Sequence, residues 1–167
     1  LTWLGAAYGL MHRQRLFSGL ISLWGARALI VAGMGGILLF SMLTLNPVFT
    51  GEPVPGNIIF NALLLAYLAP VILIGLIALR LDAIGWAKLK PAAGVLALVL
   101  AFTYVTLETK LLFQGKILQP ESLTIAESYA YSGVWLVFAL GLFVAGIRLG
   151  QKVVRMAGLA VMALVVL

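Results

Sequence analysis

The sequence predicts an all-α, polytopic transmembrane helix bundle. The reading has four complete spans with a truncated span at either end. Three observations carry it: mean hydropathy is +1.16, hydrophobic residues make up 63% of the 167, and charged residues only 10%. A soluble domain is ~25% charged. With so few charges, much of the apolar surface must face lipid rather than water. The net charge of +6 does not indicate nucleic acid, because the basic residues fall in short clusters between apolar runs. No cysteine is present, which excludes disulfides, thiolate catalysis and zinc–thiolate or iron–sulfur sites within these residues. No cofactor or metal site is expected.

A span needs ~20 mostly apolar residues. Leu1–Met11 is too short and reads as the end of a span. The chain does not begin with Met, and apolar runs reach both ends, so an internal piece of a longer membrane protein is expected, one transmembrane domain over residues 1–167. Leu16–Ala26 either lies in the interface or extends the next helix across Arg27. Ala28–Leu45 is a span that ends at Asn46-Pro47, because proline disfavours helix in the residue before it. Gly51, Pro53, Pro55 and Gly56 then make a loop. Ile58–Leu79 is the clearest span, with Pro70 expected to kink it. RLDAIGWAKLK connects it to a helix opened by Pro91, a favoured first-turn position, and running to about Phe113. Gln114–Ser128 reads as a polar loop, Tyr129–Ile147 as a span, and the run after Arg155 as a truncated one.

The connectors alternate sides. One side carries Arg13, Arg15, Arg27, Arg80, Lys88, Lys90, Arg148, Lys152 and Arg155; the other carries Lys110 and Lys116. Nine against two is a positive-inside bias that places the first set in the cytoplasm. The two basic hairpins, around Arg80 and Arg148, look alike, as any short cytoplasmic hairpin does.

Glu108 needs an explanation, since a carboxylate near the hydrocarbon boundary is costly unless hydrated or paired. Lys110 is two residues away and points elsewhere; it is expected to snorkel to the headgroups. Tyr104 is the neighbour on the same face. Donors expected near the same depth are Lys116, Tyr131, Asn46 and Asn61. The simpler reading is that Glu108 marks a helix end and touches headgroup water. Glu127, Tyr131 and Trp135, spaced i, i+4, i+8, form a second stripe. That stripe is either an aromatic belt or, with Tyr104 and Glu108, one wall of a pocket. Tyr67 beside Pro70 lines a cavity or bonds a buried neighbour. Gly5/Gly9 and Gly146/Gly150 match G-x-x-x-G, a pattern that 18 glycines produce by chance. His12 is the only histidine and lies on the side away from the glutamates, so no Ser-His-Asp or multi-histidine site forms within these residues.

FNALLLAYLAP, YVTLETKLLFQG and ESYAYSGVWLVFAL, in this order, resemble a bacterial family of large multi-span membrane proteins, catalogued as domain of unknown function 2339. The resemblance runs from Leu45 onward, with Leu111 where the family usually carries a second basic residue. It implies a multi-pass protein of the bacterial inner membrane with further spans, and supplies no reaction. It places Asn46, Tyr67, Pro70, Tyr104, Glu108, Gly115, Glu127, Tyr131 and Trp135 at recurring motif positions.

The expected partners are the lipid bilayer and other helices of a longer chain, without nucleic acid. The function expected is binding or moving an envelope ligand (a sugar, lipid headgroup or cation) through an outward-facing polar pocket lined by Tyr104, Glu108, Glu127, Tyr131, Trp135, Asn46, Asn61 and Tyr67. One alternative is a structural scaffold without a ligand. Another is an envelope glycan or lipid enzyme using Glu108 and Glu127 as acid and base.

Overall fold

A computed structural model describes residues 1–13, 20–44, 46–119 and 124–166. The described residues are helices joined by short connectors, with no strand; the one isolated β-bridge joins Gly56 and Asn61. The helices are α1 (Thr2–Arg13), α2 (Leu20–Gly36), α3 (Pro47–Thr50), α4 (Ala69–Ala78), α5 (Lys90–Gln114), α6 (Ile125–Arg148) and α7 (Lys152–Val166). A π-helical segment, Ile37–Thr44, continues α2, and a second, Leu64–Leu68, leads into α4. Stretches within Leu20–Thr50, Ala87–Gln114 and Ile125–Arg148 are long and apolar enough to cross a bilayer; the apolar helix Leu64–Ala78 is shorter. At ~1.5 Å per residue α6 is ~36 Å long, against a hydrocarbon core of ~30 Å.

Pro91 sits in the first turn of α5, where its missing N–H removes nothing. α2 runs through Arg27 without a break, so residues 20–26 extend that helix; residues 16–19 lie outside the described ones. Arg27 reaches the Ile84 carbonyl at 2.6 Å and stacks between Trp24 and Trp86. Asn46 accepts from the Val48 amide and starts the single-turn α3, with Pro47 in its first turn.

Two boundaries differ from the sequence reading. The span expected from Ile58 becomes regular helix only at Ala62. The Asn57 side-chain oxygen accepts the Ile59 and Phe60 amides at 3.1 and 2.6 Å, folding these apolar residues into a turn. Gly56, at φ 112, permits it: a Cβ there would lie 2.4 Å from the Phe60 carbonyl oxygen. The polar loop expected to reach Ser128 ends at Thr124, whose hydroxyl caps α6 by accepting the Glu127 amide at 3.2 Å. Thr-x-x-Glu ahead of an apolar run is a helix-start signature that marks this boundary.

Pro70 has a clear consequence. It cannot donate to the Ala66 carbonyl, and its ring crowds that group. The preceding turn opens into the π-segment, where Ala69 N–H donates to Leu64 O five residues back. The expected kink is thus met by a widened turn.

The described charges separate to the two ends of the bundle. At the basic end, Arg80 contacts His12 Nδ1 at 3.2 Å and covers Tyr8, and Lys90 pairs with Asp82. The two basic hairpins differ in build: residues 81–89 form two 3₁₀ turns, whereas α6 and α7 are joined through Leu149, Gly150 and Gln151 alone. The core between the ends is apolar and includes Leu4, Ile30, Ile74, Ile77 and Leu100.

Candidate functional site

The polar residues of interest gather at the other end, where the 51–61 loop meets the end of α5 and the start of α6. Asn61 organises the first cluster. Its side-chain oxygen accepts the Leu64 amide at 3.1 Å, which orients its amide nitrogen toward the Ile58 carbonyl and toward Glu108 Oε1 at 2.9 Å. Of the donors expected for Glu108, the structure supplies Asn61. Tyr104, one turn earlier on α5, faces the same carboxylate. Asn61 is 5% exposed, so this bond ties the 57–61 turn to α5 from within.

Glu127 organises the second cluster. It is fully buried, with Gln114 Nε2 at 3.2 and 3.1 Å from its two oxygens and the Tyr131 hydroxyl donating at 3.0 Å. Gln114 also accepts the Gln119 amide at 2.8 Å, fastening the connector to the helix it leaves. Further along the same stripe, Trp135 Nε1 donates to Thr106 Oγ1 at 3.1 Å, and Thr106 donates to the Phe102 carbonyl. The Trp135 ring lies 5.0 Å from Phe102 and 5.7 Å from Tyr131. The i, i+4, i+8 stripe therefore faces α5, and every member is engaged.

The structure does not unite the two clusters. On α5, Thr106 and Gln114 face α6, while Glu108 points about 160° from Thr106 and about 120° from Gln114 by helical phase, toward Asn61. Glu108 and Glu127 thus look to different neighbours. No hydrogen bond joins the two carboxylate clusters among the described residues.

Tyr67 is buried and donates to the Ser41 carbonyl at 2.5 Å, within the first π-segment. A widened helix leaves such carbonyls free of regular partners. Tyr67 also lines a cavity of about 170 Å³ with Pro47, Glu52 and Pro53. Asn46 is used as the α3 cap.

Two participants escaped the sequence reading. Thr106 and Gln114 lie four residues either side of Lys110, a polar stripe at i, i+4, i+8 that marks the face of α5 turned to α6. Lys110 itself lies on that face. It is 7% exposed, between two residues bonded to α6, so its stem is covered. No ion pair or hydrogen bond engages it among the described residues. Its ammonium is nevertheless not fully sealed, because no fully buried side-chain polar atom lacks a partner.

Beside the first cluster lies an open cavity of about 550 Å³, lined by Val54, the 56–60 turn, Leu111, Gly115 and Lys116. The Val54 amide donates to the Lys116 carbonyl at 2.8 Å and closes one edge. Asn61–Glu108 fixes the wall at one side, and Leu111, Gly115 and Lys116 are the residues of α5 and its end that follow Glu108.

A family model described as "Predicted membrane protein (DUF2339)" matches residues 1–167. The chain belongs to this family. The match covers the whole of it, where the sequence motifs reached only from Leu45. No curated protein and no solved structure matches the chain. As a DUF2339 member with three helices suited to a bilayer among the described residues, it is a membrane protein.

Proposed function

We propose that the chain is a non-catalytic, membrane-embedded binding unit. In it the Glu108 and Glu127 clusters are internal locks, and the cavity beside them receives the ligand. The observation that carries the reading is the position of the ~550 Å³ cavity, whose two walls are joined by the part-buried Asn61–Glu108 bond. Its volume falls in the ~300–1,000 Å³ range of ligand sites, which are mostly apolar with a few placed polar groups. The positive-inside bias puts the basic end in the cytoplasm and opens the cavity on the opposite face, at the bacterial inner membrane that the family resemblance implies.

The engagement of both carboxylates supports a second reading, a scaffold whose polar groups only set helix register. Accessibility separates the two. In the cysteine-free background of these residues, Leu111→Cys lines the cavity and Leu100→Cys sits in the core. In the intact protein in phosphatidylcholine bilayers without anionic lipid, a small water-soluble thiol reagent is expected to modify Leu111→Cys at least tenfold faster than Leu100→Cys. Adding Ile58→Trp to fill the cavity is expected to abolish the difference. Equal, slow labelling at both positions sinks the binding reading in favour of the scaffold.

A further inference from the structure

We infer that the cavity takes a membrane lipid with an anionic phosphate headgroup, the phosphate held by Lys116 and the Asn57 amide and the acyl chain lying along Ile58, Ile59 and Phe60. The inference rests on the binding reading above and names its ligand.

The polar groups of the lining decide the charge. Lys116 is the one ionisable side chain among the described residues that line it. No hydrogen bond or ion pair engages that side chain among the described residues. The Asn57 oxygen is already taken by two amides, which fixes the flip of the side chain and leaves its Nδ2 as a donor without a partner among the described residues. Both available side-chain groups are therefore donors, which suits an anion. No carboxylate among the described residues lines the cavity to hold an ammonium headgroup; the nearby Glu52 lines the separate 170 Å³ cavity. Lysine binds phosphate as a point charge and needs no fixed fork geometry.

The remaining lining decides the tail. Ile58, Ile59 and Phe60 are consecutive and highly exposed, Phe60 at 74%. The Asn57 turn holds them outward, so their exposure is built into the backbone. Lys116 lies two residues beyond the end of α5, the depth at which a spanning helix meets headgroups. An apolar wall with a cation and an amide at its rim, at that depth, matches the head-to-tail polarity of a phospholipid.

The test uses the intact protein in phosphatidylcholine nanodiscs, photolabelled with diazirine-bearing phosphatidylglycerol, phosphatidylcholine or palmitate at equal loading. The phosphatidylglycerol probe is expected to label peptides spanning 54–60 and 111–116 about tenfold over the phosphatidylcholine probe. Lys116→Gln is expected to remove about tenfold of that labelling, the size of one charge-assisted contact. Lys116→Arg should retain it, and Lys88→Gln, at the basic end, should leave it unchanged. Equal labelling by both phospholipids, or labelling indifferent to Lys116→Gln, overturns the headgroup assignment. Labelling by palmitate in place of phosphatidylglycerol overturns the phospholipid as source. No labelling by any probe while Leu111→Cys stays reactive overturns the lipid inference and leaves the cavity reading intact. An unreactive Leu111→Cys overturns both.

Discussion

At the scale of single residues, three side chains with formal charge sit in poor solvent and meet different fates. Glu108 and Glu127 are each satisfied by a neutral amide, Asn61 and Gln114, with a tyrosine beside it. Lys110 has no such partner among the described residues. Removing one member of a buried bond leaves the other unsatisfied, at a cost of ~1–3 kcal/mol, whereas removing both is close to neutral. Asn61→Leu is therefore expected to lower the stability of the detergent-solubilised protein by about 1–3 kcal/mol, and Asn61→Leu with Glu108→Leu to recover most of it, as read by thermal unfolding. Lys110→Met is expected to leave stability unchanged or raised, because it relieves a covered charge that makes no bond. A loss of 2 kcal/mol or more (~2, the scale of a strong charged bond) in the Lys110→Met protein would mean a counter-charge holds that ammonium.

At the scale of elements, the sequence was informative where the cause is local. Pro91 opens α5, Asn46-Pro47 marks a helix boundary, and the Glu127–Tyr131–Trp135 stripe lies on one face, because these follow from propensity and helical period. The Ile58–Phe60 turn was hidden, since apolar composition masks the side-chain bond from Asn57 that bends it. The split between Glu108 and Glu127 was hidden too. Period fixes which residues share a face, but which neighbour that face meets depends on tertiary packing. The G-x-x-x-G matches illustrate the same limit. Gly146 and Gly158, not Gly150, are the close-approach points: a Cβ on Gly146 would lie 2.5 Å from the Arg155 nitrogen, and one on Gly158 2.8 Å from the Ala139 carbonyl oxygen. Gly158→Leu is accordingly expected to separate α6 from α7. A disulfide between cysteines introduced at Ala139 and Gly158's neighbour Ala157 should form readily in the parent background and poorly with Gly158→Leu added; equal yields would show the approach is not required.

At the scale of the whole molecule, composition settles the class, and the alternation of connectors places basic groups at one end and the cavity at the other. Cysteines at Lys88 and at Ile117 are expected to react with a membrane-impermeant maleimide from opposite sides of sealed cells, Ile117→Cys from outside and Lys88→Cys only after permeabilisation. Labelling of both from one side would break the alternation. The central claim joins the scales: Glu108 serves as a hydrogen-bond acceptor that holds a cavity wall, and not as a charge offered to a ligand. Hydrogen exchange across residues 54–62 of the intact protein tests it most directly, comparing Asn61→Leu with Glu108→Gln. The first breaks the bond and the second keeps an acceptor for Asn61 while deleting the charge. The account predicts faster exchange of the Val54 and Ala62 amides, which close the loop onto Lys116 and Pro55, in Asn61→Leu and near-parent exchange in Glu108→Gln. Equal acceleration in both variants would contradict it, because the charge itself would then be what the site requires.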